Sequence, residues 1–119
     1  MNRTTIALSE FELKVVENAV GKMCQRRSPA HLRDKVRIIY KVINHSVEVY
    51  EQRPRWNNPK EQTNTPVAKF IFTRTTKKWK LYWMRKDLKW HLYEPLSEST
   101  RLDILVEEVD KDPYAAFFG

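Results

Sequence analysis

The stretch KKWKLYWMRKDLKWHLYEP, residues 77–95, decides the fold, because apolar and basic side chains alternate along much of it. It contains three of the four tryptophans of the chain and six of its basic side chains. Successive side chains of a β-strand point to opposite faces of a sheet, so this alternation predicts strands with one apolar and one basic face. The tryptophans are therefore expected in the core, and the lysines on a surface.

The same alternation extends over residues 67–93 and predicts three strands. The positions on the predicted apolar side are Ala68, Phe70, Phe72, Trp79, Leu81, Trp83, Trp90 and Leu92. The positions on the other side, which we call the lysine side, are Lys69, Ile71, Thr73, Lys78, Lys80, Tyr82, Met84, Lys89, His91 and Tyr93. One side of this half of the sheet is thus expected to be covered and the other to be wet.

The residues before this region predict one helix, two further strands and a long loop. Ser9 and Glu12 have the spacing of a capping box, and apolar residues then recur at helical spacing, which predicts a helix over residues 10–26. Residues 35–53 alternate in the manner of two strands joined by a tight turn. Residues 54–66, PRWNNPKEQTNTP, contain three prolines and three asparagines, which predicts a loop.

The end of the chain predicts a second helix over residues 100–110, with Leu102, Leu105, Val106 and Val109 as its apolar stripe. The short links between the predicted strands favour antiparallel pairing. The predicted fold is a single α+β domain, residues 1–119: a five-stranded antiparallel meander sheet, with an N-terminal and a C-terminal helix packed on one face.

Charge is distributed unevenly along the 119 residues, whose formal net charge is +7. Residues 67–93 hold eight basic side chains and one acid, Asp87, whereas residues 94–119 hold seven acids and two basic side chains. A cationic middle attracts polyanions in general. Two other interpretations stay open, namely neutralisation by the acidic tail and a role in solubility alone.

Several classes of protein and of site are excluded by the sequence. No run of about 18 apolar residues is present, so no membrane span is predicted, and the N-terminus lacks the apolar core of a signal peptide. Cys24 is the single cysteine, which excludes an intrachain disulfide. The missing signal peptide and the single cysteine make a cytoplasmic location the expectation. His31, His45 and His91 lie in separate elements, so we predict no metal site. We also predict no cofactor.

The first candidate site is the lysine side of the predicted sheet. Its candidate binding residues are Lys69, Lys78, Lys80, Tyr82, Lys89, His91 and Tyr93. Sheet platforms of single-strand binders mix cations for phosphates with aromatic faces for bases, so we expect a non-catalytic module that binds nucleic acid or another polyanion. A merely solvated face is one alternative. The other is a surface for a protein partner or a homodimer, because Ile39, Ile43, Ile71 and Met84 would leave apolar area wet.

The second candidate site is a charged group at one end of the predicted core face. Glu51 and Arg53 continue the core face of the second strand and Arg85 that of the fourth, with the small Ala68 between them and Trp56 as a wall. This group is either a structural ion pair or the pocket of a ligand binder or small enzyme. Its Glu-x-Arg pair also faintly resembles the Glu-x-Lys of metal-dependent nucleases, but we identify no second acidic ligand. We assign no catalytic residue.

Several long and idiosyncratic stretches resemble a small bacterial family, domain of unknown function 3024. The resemblance depends on EQRPRW at residues 51–56, VAKF at 67–70, WKLYWMRKDLKWHLYEP at 79–95, and the closing DPY and FFG at 112–114 and 117–119. It covers residues 32–119 well and the first helix only loosely. The resemblance implies a compact bacterial cytoplasmic domain, carried as cargo of mobile integron gene cassettes, and it brings no established activity and no catalytic residues.

Overall fold

The computed structural model describes residues 7–119; residues 1–6, which belong to the stretch in which we predict no signal peptide, lie outside the described residues. The helical elements are α1 (Glu10–Val16), a π-helical segment (Glu17–Gly21), α2 (Lys22–Arg26), two 3₁₀ turns (Ala30–Leu32 and Glu94–Leu96) and α3 (Leu102–Lys111). The strands are β1 (Arg37–Ile43), β2 (Ser46–Arg55), β3 (Asn58–Thr73), β4 (Lys78–Met84), β5 (Trp90–Leu92) and β6 (Glu98–Ser99). None of the helices in this part of the chain is long and apolar enough to span a membrane.

The strands form one antiparallel meander sheet in the order β1-β2-β3-β4-β5, and the short β6 pairs with β4 beside β5. This confirms the predicted fold class, an α+β domain with an N-terminal and a C-terminal helical element on one face. The capping box is also confirmed: the Ser9 hydroxyl accepts from the Glu12 amide at 3.2 Å, and the Glu12 carboxylate accepts from the Ser9 amide at 2.8 Å. The cap satisfies backbone donors that the first helical turn would leave unpaired.

The core lies between the helices and one face of the sheet. Its main buried residues are Val16, Val20 and Met23 from the N-terminal helical run, Leu102, Leu105, Val106 and Val109 from α3, and Val47, Val49, Phe70, Trp79 and Leu81 from the sheet. Arg26 and Arg27 clamp the two helical elements together through Asp110, at 3.1 and 2.7 Å. Because both helical elements bury their apolar side chains in this one cluster, the opposite face of the sheet stays open.

The predicted loop over residues 54–66 is wrong, because these residues continue β2 and β3. The ladder runs through Arg53↔Thr63 and Pro54↔Gln62, and a tight turn at Trp56 joins the strands. We call residues 53–63 the arm, since β1 and β4 stop short of it. Both of its faces are solvated, so it lacks the apolar alternation from which strands are recognised. The arm contributes to the elongated shape of the molecule, 45 × 33 × 27 Å.

The face assignment of the last long hairpin is wrong for the strand after its turn. Trp90 pairs with Met84 and Leu92 with Tyr82, so both share the face of the lysines, whereas Tyr93 points into the core. The turn at residues 85–89 includes Leu88 with a left-handed φ of 62°, and it sets a register one residue away from the expected one. A shift of one residue sends every side chain of a strand to the other face. Of the predicted core tryptophans, only Trp79 is therefore fully buried on the core face.

Candidate functional site

The open face is the side of the sheet opposite the helices. Its residues are Arg37, Ile39, Lys41, Ile43, Ser46, Glu48, Tyr50, Gln52, Lys69, Ile71, Thr73, Lys78, Lys80, Tyr82, Met84, Trp90, Leu92 and Glu98. Five of these side chains are cations and two are carboxylates, so the face has an excess of three positive charges. It therefore combines a cationic potential with aliphatic and aromatic side chains.

Two of the predicted binding lysines have carboxylate partners on the open face. Lys69 Nζ lies 3.5 Å from Glu48, and Lys78 Nζ lies 3.2 Å from Glu98. Lys80 forms no ion pair with any residue of the described range 7–119. Because exposed ion pairs contribute only about 0–1 kcal/mol, the half-exposed pair of Lys78 can exchange its carboxylate for a phosphate at little cost.

The first two strands complete the cationic part of the open face. Arg37 donates to the Gln52 side chain at 2.8 Å, and Lys41 Nζ lies 5.4 Å from the ring of Tyr50. Tyr50 in turn donates to the Glu48 carboxylate. Burial and this hydrogen bond raise the pKa of Tyr50 to about 12, so its hydroxyl stays a neutral donor. These partners hold Arg37 and Lys41 on the face while their charges remain available.

The aromatic side chains of the open face lie next to its lysines. Trp90 is half-buried, and Lys69 Nζ lies 5.9 Å from the centre of its ring. Tyr82, on β4, pairs with Lys69 on β3 and with Leu92 on β5. Trp90 was expected in the core, so the structure adds a ring to the open face that the sequence did not predict there.

Three of the predicted platform residues do not lie on the open face. Lys89 lies in the exposed turn before β5. His91 and Tyr93 point to the helix side, where Tyr93 is 2% exposed and its hydroxyl donates to Glu108 at 2.6 Å. Burial and the neighbouring Glu108 raise the pKa of Tyr93 well above its usual value. Tyr93 is therefore a core residue, not a stacking surface.

The predicted group of Glu51, Arg53, Arg85 and Trp56 does not come together. Glu51 and Arg53 form a partly exposed ion pair at 2.9 Å. Trp56 is 93% exposed at the tip of the arm, so it walls no pocket. Arg85 forms no ion pair with any residue between 7 and 119; its guanidinium lies 5.4 Å from the ring of Trp83. The expectation fails because Arg85 begins the turn toward β5, while β2 continues into the arm.

Arg85 instead lines a cleft of about 330 Å³, which we call the hairpin–tail cleft. It is lined by Trp83, Arg85, His91, Leu92, Tyr93, Glu94, Pro95, Tyr114, Ala115 and Ala116. His91 Nε2 lies 2.7 Å from the carboxylate of Asp87, four residues earlier in the β4–β5 hairpin. This cleft was not predicted from the sequence, although the spacing of Asp87 and His91 across a turn was a readable signal.

The C-terminal tail forms one wall of the hairpin–tail cleft and is held there by Asp112. Its carboxylate accepts the backbone N–H groups of Ala116, Phe117 and Phe118 at 2.7, 3.0 and 2.8 Å. Phe117 packs on Tyr93, with 4.9 Å between the ring centres. Asp112 itself ends α3 in the left-handed conformation, with φ 47°. The closing DPY and FFG motifs thus shape a tail that docks onto the sheet.

The described residues 7–119 contain neither a cluster of metal ligands nor an exposed thiol. This part of the chain contains no group of three or more histidine, cysteine or acidic side chains that could hold a metal ion. Cys24 is buried against the core, and burial raises the pKa of its thiol to about 12. A protonated, buried thiol is a poor nucleophile.

A family model described as Domain of unknown function (DUF3024) matches residues 8–119. The chain belongs to this family. No curated protein and no solved structure matches it significantly. The DUF3024 match begins before α1, so the family includes the first helix, which the resemblance covered only loosely. The arm, the β4–β5 hairpin and the docked tail all lie within the DUF3024 match.

Proposed function

We propose that the protein is a non-catalytic binding module that associates with nucleic acid, or with another polyanion, through its open face. The observation that carries the proposal is the location of Trp90 and Tyr82 on the same face as Lys69 and Lys80. Cations attract the phosphates and rings stack with bases, which is the usual combination in proteins that bind single strands. Base stacking needs unpaired bases, so single strands are favoured over duplexes.

The dimensions of the open face also favour a single-stranded nucleic acid over a second protein as its ligand. Five strands span roughly 24 Å, and seven residues along a strand span about 23 Å, which gives roughly 550 Å². A standard protein–protein interface covers about 800 Å² on each partner. Self-association is the second candidate, because Ile43 and Leu92 are 45% and 40% exposed. A stable dimer would need the arm in addition to the open face.

The proposal is tested by fluorescence anisotropy with a short labelled single-stranded oligonucleotide over a series of salt concentrations. Each phosphate contact contributes about −0.7 to the slope of log K against log salt, so Lys80→Ala should flatten the slope by about that amount. Trp90→Leu keeps apolar bulk but removes the stacking ring, and it should weaken binding by about 5- to 150-fold. Lys111→Ala, an exposed lysine on α3, is the matched control.

Equal affinities and equal slopes for the wild type, Lys80→Ala and Lys111→Ala would refute the proposal. Sedimentation equilibrium of the same samples separates the second candidate from the first. A dimer that dissociates when Ile43→Glu is introduced, without any oligonucleotide binding by the wild type, would replace nucleic-acid binding with self-association. We also retain, as proposals that depend on the resemblance alone, a bacterial cytoplasmic location and an origin in a mobile integron gene cassette.

A further inference from the structure

The hairpin–tail cleft lies on the side of β5 opposite the open face and has the composition of a small-molecule site. Its volume of about 330 Å³ is at the lower end of the usual range of roughly 300–1,000 Å³ for such sites. Trp83 and Tyr114 supply aromatic walls, while Pro95 adds an aliphatic one. A cleft of this size accommodates one ring system with its substituents.

The cation of the cleft is the guanidinium of Arg85. Its side chain makes neither a hydrogen bond nor an ion pair within residues 7–119, and it is exposed beside the ring of Trp83. A guanidinium presents donors in a fixed fork that matches the two oxygens of a carboxylate or phosphate. The unused fork therefore selects for an anionic group next to the aromatic wall.

The remaining polar groups of the cleft are His91 and Glu94. His91 is held through Nε2 by Asp87, which also accepts the Lys89 amide at 3.0 Å. The hydrogen bond with His91 holds the pKa of Asp87 below its usual value, so the carboxylate stays charged and the imidazole stays oriented. Glu94 is an exposed acceptor on the rim. It favours a ligand that also carries an N–H donor.

We propose that the hairpin–tail cleft binds a small planar anion, in which a flat ring with an amino substituent packs against Trp83 and Tyr114 and an anionic group pairs with Arg85. Two classes of compound share this chemistry, namely amino-substituted aromatic carboxylates and nucleoside monophosphates. This proposal is independent of nucleic-acid binding, because none of these residues belongs to the stacking and phosphate-binding set of the open face.

The test is a titration of the 119-residue chain followed by ¹H–¹⁵N NMR, with 4-aminobenzoate in one series and adenosine monophosphate in a second. We expect saturable shifts of the Arg85, His91 and Tyr114 amides with at least one probe, at a dissociation constant of about 1 mM or lower. Arg85→Ala should weaken binding by about 10- to 100-fold, because it removes charge-assisted hydrogen bonds. Arg85→Lys should recover part of the loss, since it restores the charge but not the fork.

Two controls make the result specific. Arg55→Ala removes an exposed arginine of the arm and should leave binding unchanged. Adenosine and aniline, which lack the anionic group, should bind at least about 10-fold more weakly than their anionic counterparts.

Tyr114→Ala, at a side chain that is 69% exposed, should weaken binding without unfolding the protein. Absence of saturable shifts with both probes, or equal affinity in Arg85→Ala and Arg55→Ala, would overturn the proposal.

Discussion

Replacement of Asp112 is the sharpest test of how the C-terminal tail is held. The Asp112 carboxylate accepts three backbone N–H groups of the tail, and its own φ of 47° lies in the left-handed region. Asp112→Ala removes all three acceptor contacts and places alanine in a conformation that it rarely adopts. Asp112→Asn keeps one side-chain oxygen, and asparagine tolerates this conformation well.

The expected loss of unfolding free energy in each variant follows from these contacts. A hydrogen bond to a charged group contributes about 1.5–3 kcal/mol, but three bonds that share one half-exposed acceptor do not add in full. The left-handed backbone costs alanine a further 1–2 kcal/mol, roughly. We therefore expect Asp112→Ala to lower the free energy of unfolding by about 3–4 kcal/mol, and Asp112→Asn to lower it by about 1–2 kcal/mol.

Urea denaturation measures the loss, and limited chymotrypsin digestion shows where it occurs. If the tail undocks before the domain unfolds, Phe117 leaves its contact with Tyr93 and the tail becomes a substrate. Asp103→Ala is the matched control, because Asp103 is an exposed acid of α3 whose side chain pairs with Arg101. Wild-type unfolding midpoints together with wild-type protease resistance in Asp112→Ala would refute the reasoning.

Three further predictions concern stability, reactivity and exposure. Burial alone would raise the pKa of Asp110, but Arg27 and Arg26 outweigh it and hold the pKa below the ordinary 3.8. The stability from this clamp is therefore present above pH 3.8 and lost as pH falls further, and acid titration of Asp110→Asn should show a shallower decline. Cys24 should react with a disulfide reagent at pH 8 only after urea unfolds the protein; rapid labelling of the native state would contradict its burial. Trp56→Phe should remove the emission that acrylamide quenches most readily, and unchanged quenching would show that the arm tip is covered.

The sequence predicts the parts of the fold in which one face is buried and the other is wet. Phe70, Leu81 and Trp79 alternate with polar positions, and all three lie in the core. The stripe of α3 and the capping box at Ser9 were predicted for the same kind of reason, since each is a local pattern with one physical meaning. These elements need no knowledge of distant residues.

The arm and the last long hairpin depend on information that alternation does not contain. Neither face of the arm is buried, so its residues show no apolar alternation. Its prolines and asparagines then give it the composition of a loop. In the β4–β5 hairpin the register depends on the conformation of the turn, including the left-handed Leu88. A pattern of period two identifies the strand but not which of its two faces is covered. The sequence assigns Lys69, Lys78, Lys80 and Tyr82 to the face on which the structure places them, and it fails to place the residues of the arm and of β5.

The reversed register changes which residues form each surface around β5. With the expected register, Trp90 would fill the core and His91 and Tyr93 would form the aromatic part of the platform. In the structure Trp90 supplies the ring beside Lys69, and His91 turns to the other side, where it lines the cleft with Arg85. The three-residue strand β5 therefore separates two surfaces of different chemistry, one broad and cationic, the other narrow and aromatic. Because Trp90 lies on the open face and Arg85 lines the hairpin–tail cleft, single substitutions at these two residues probe the two surfaces separately.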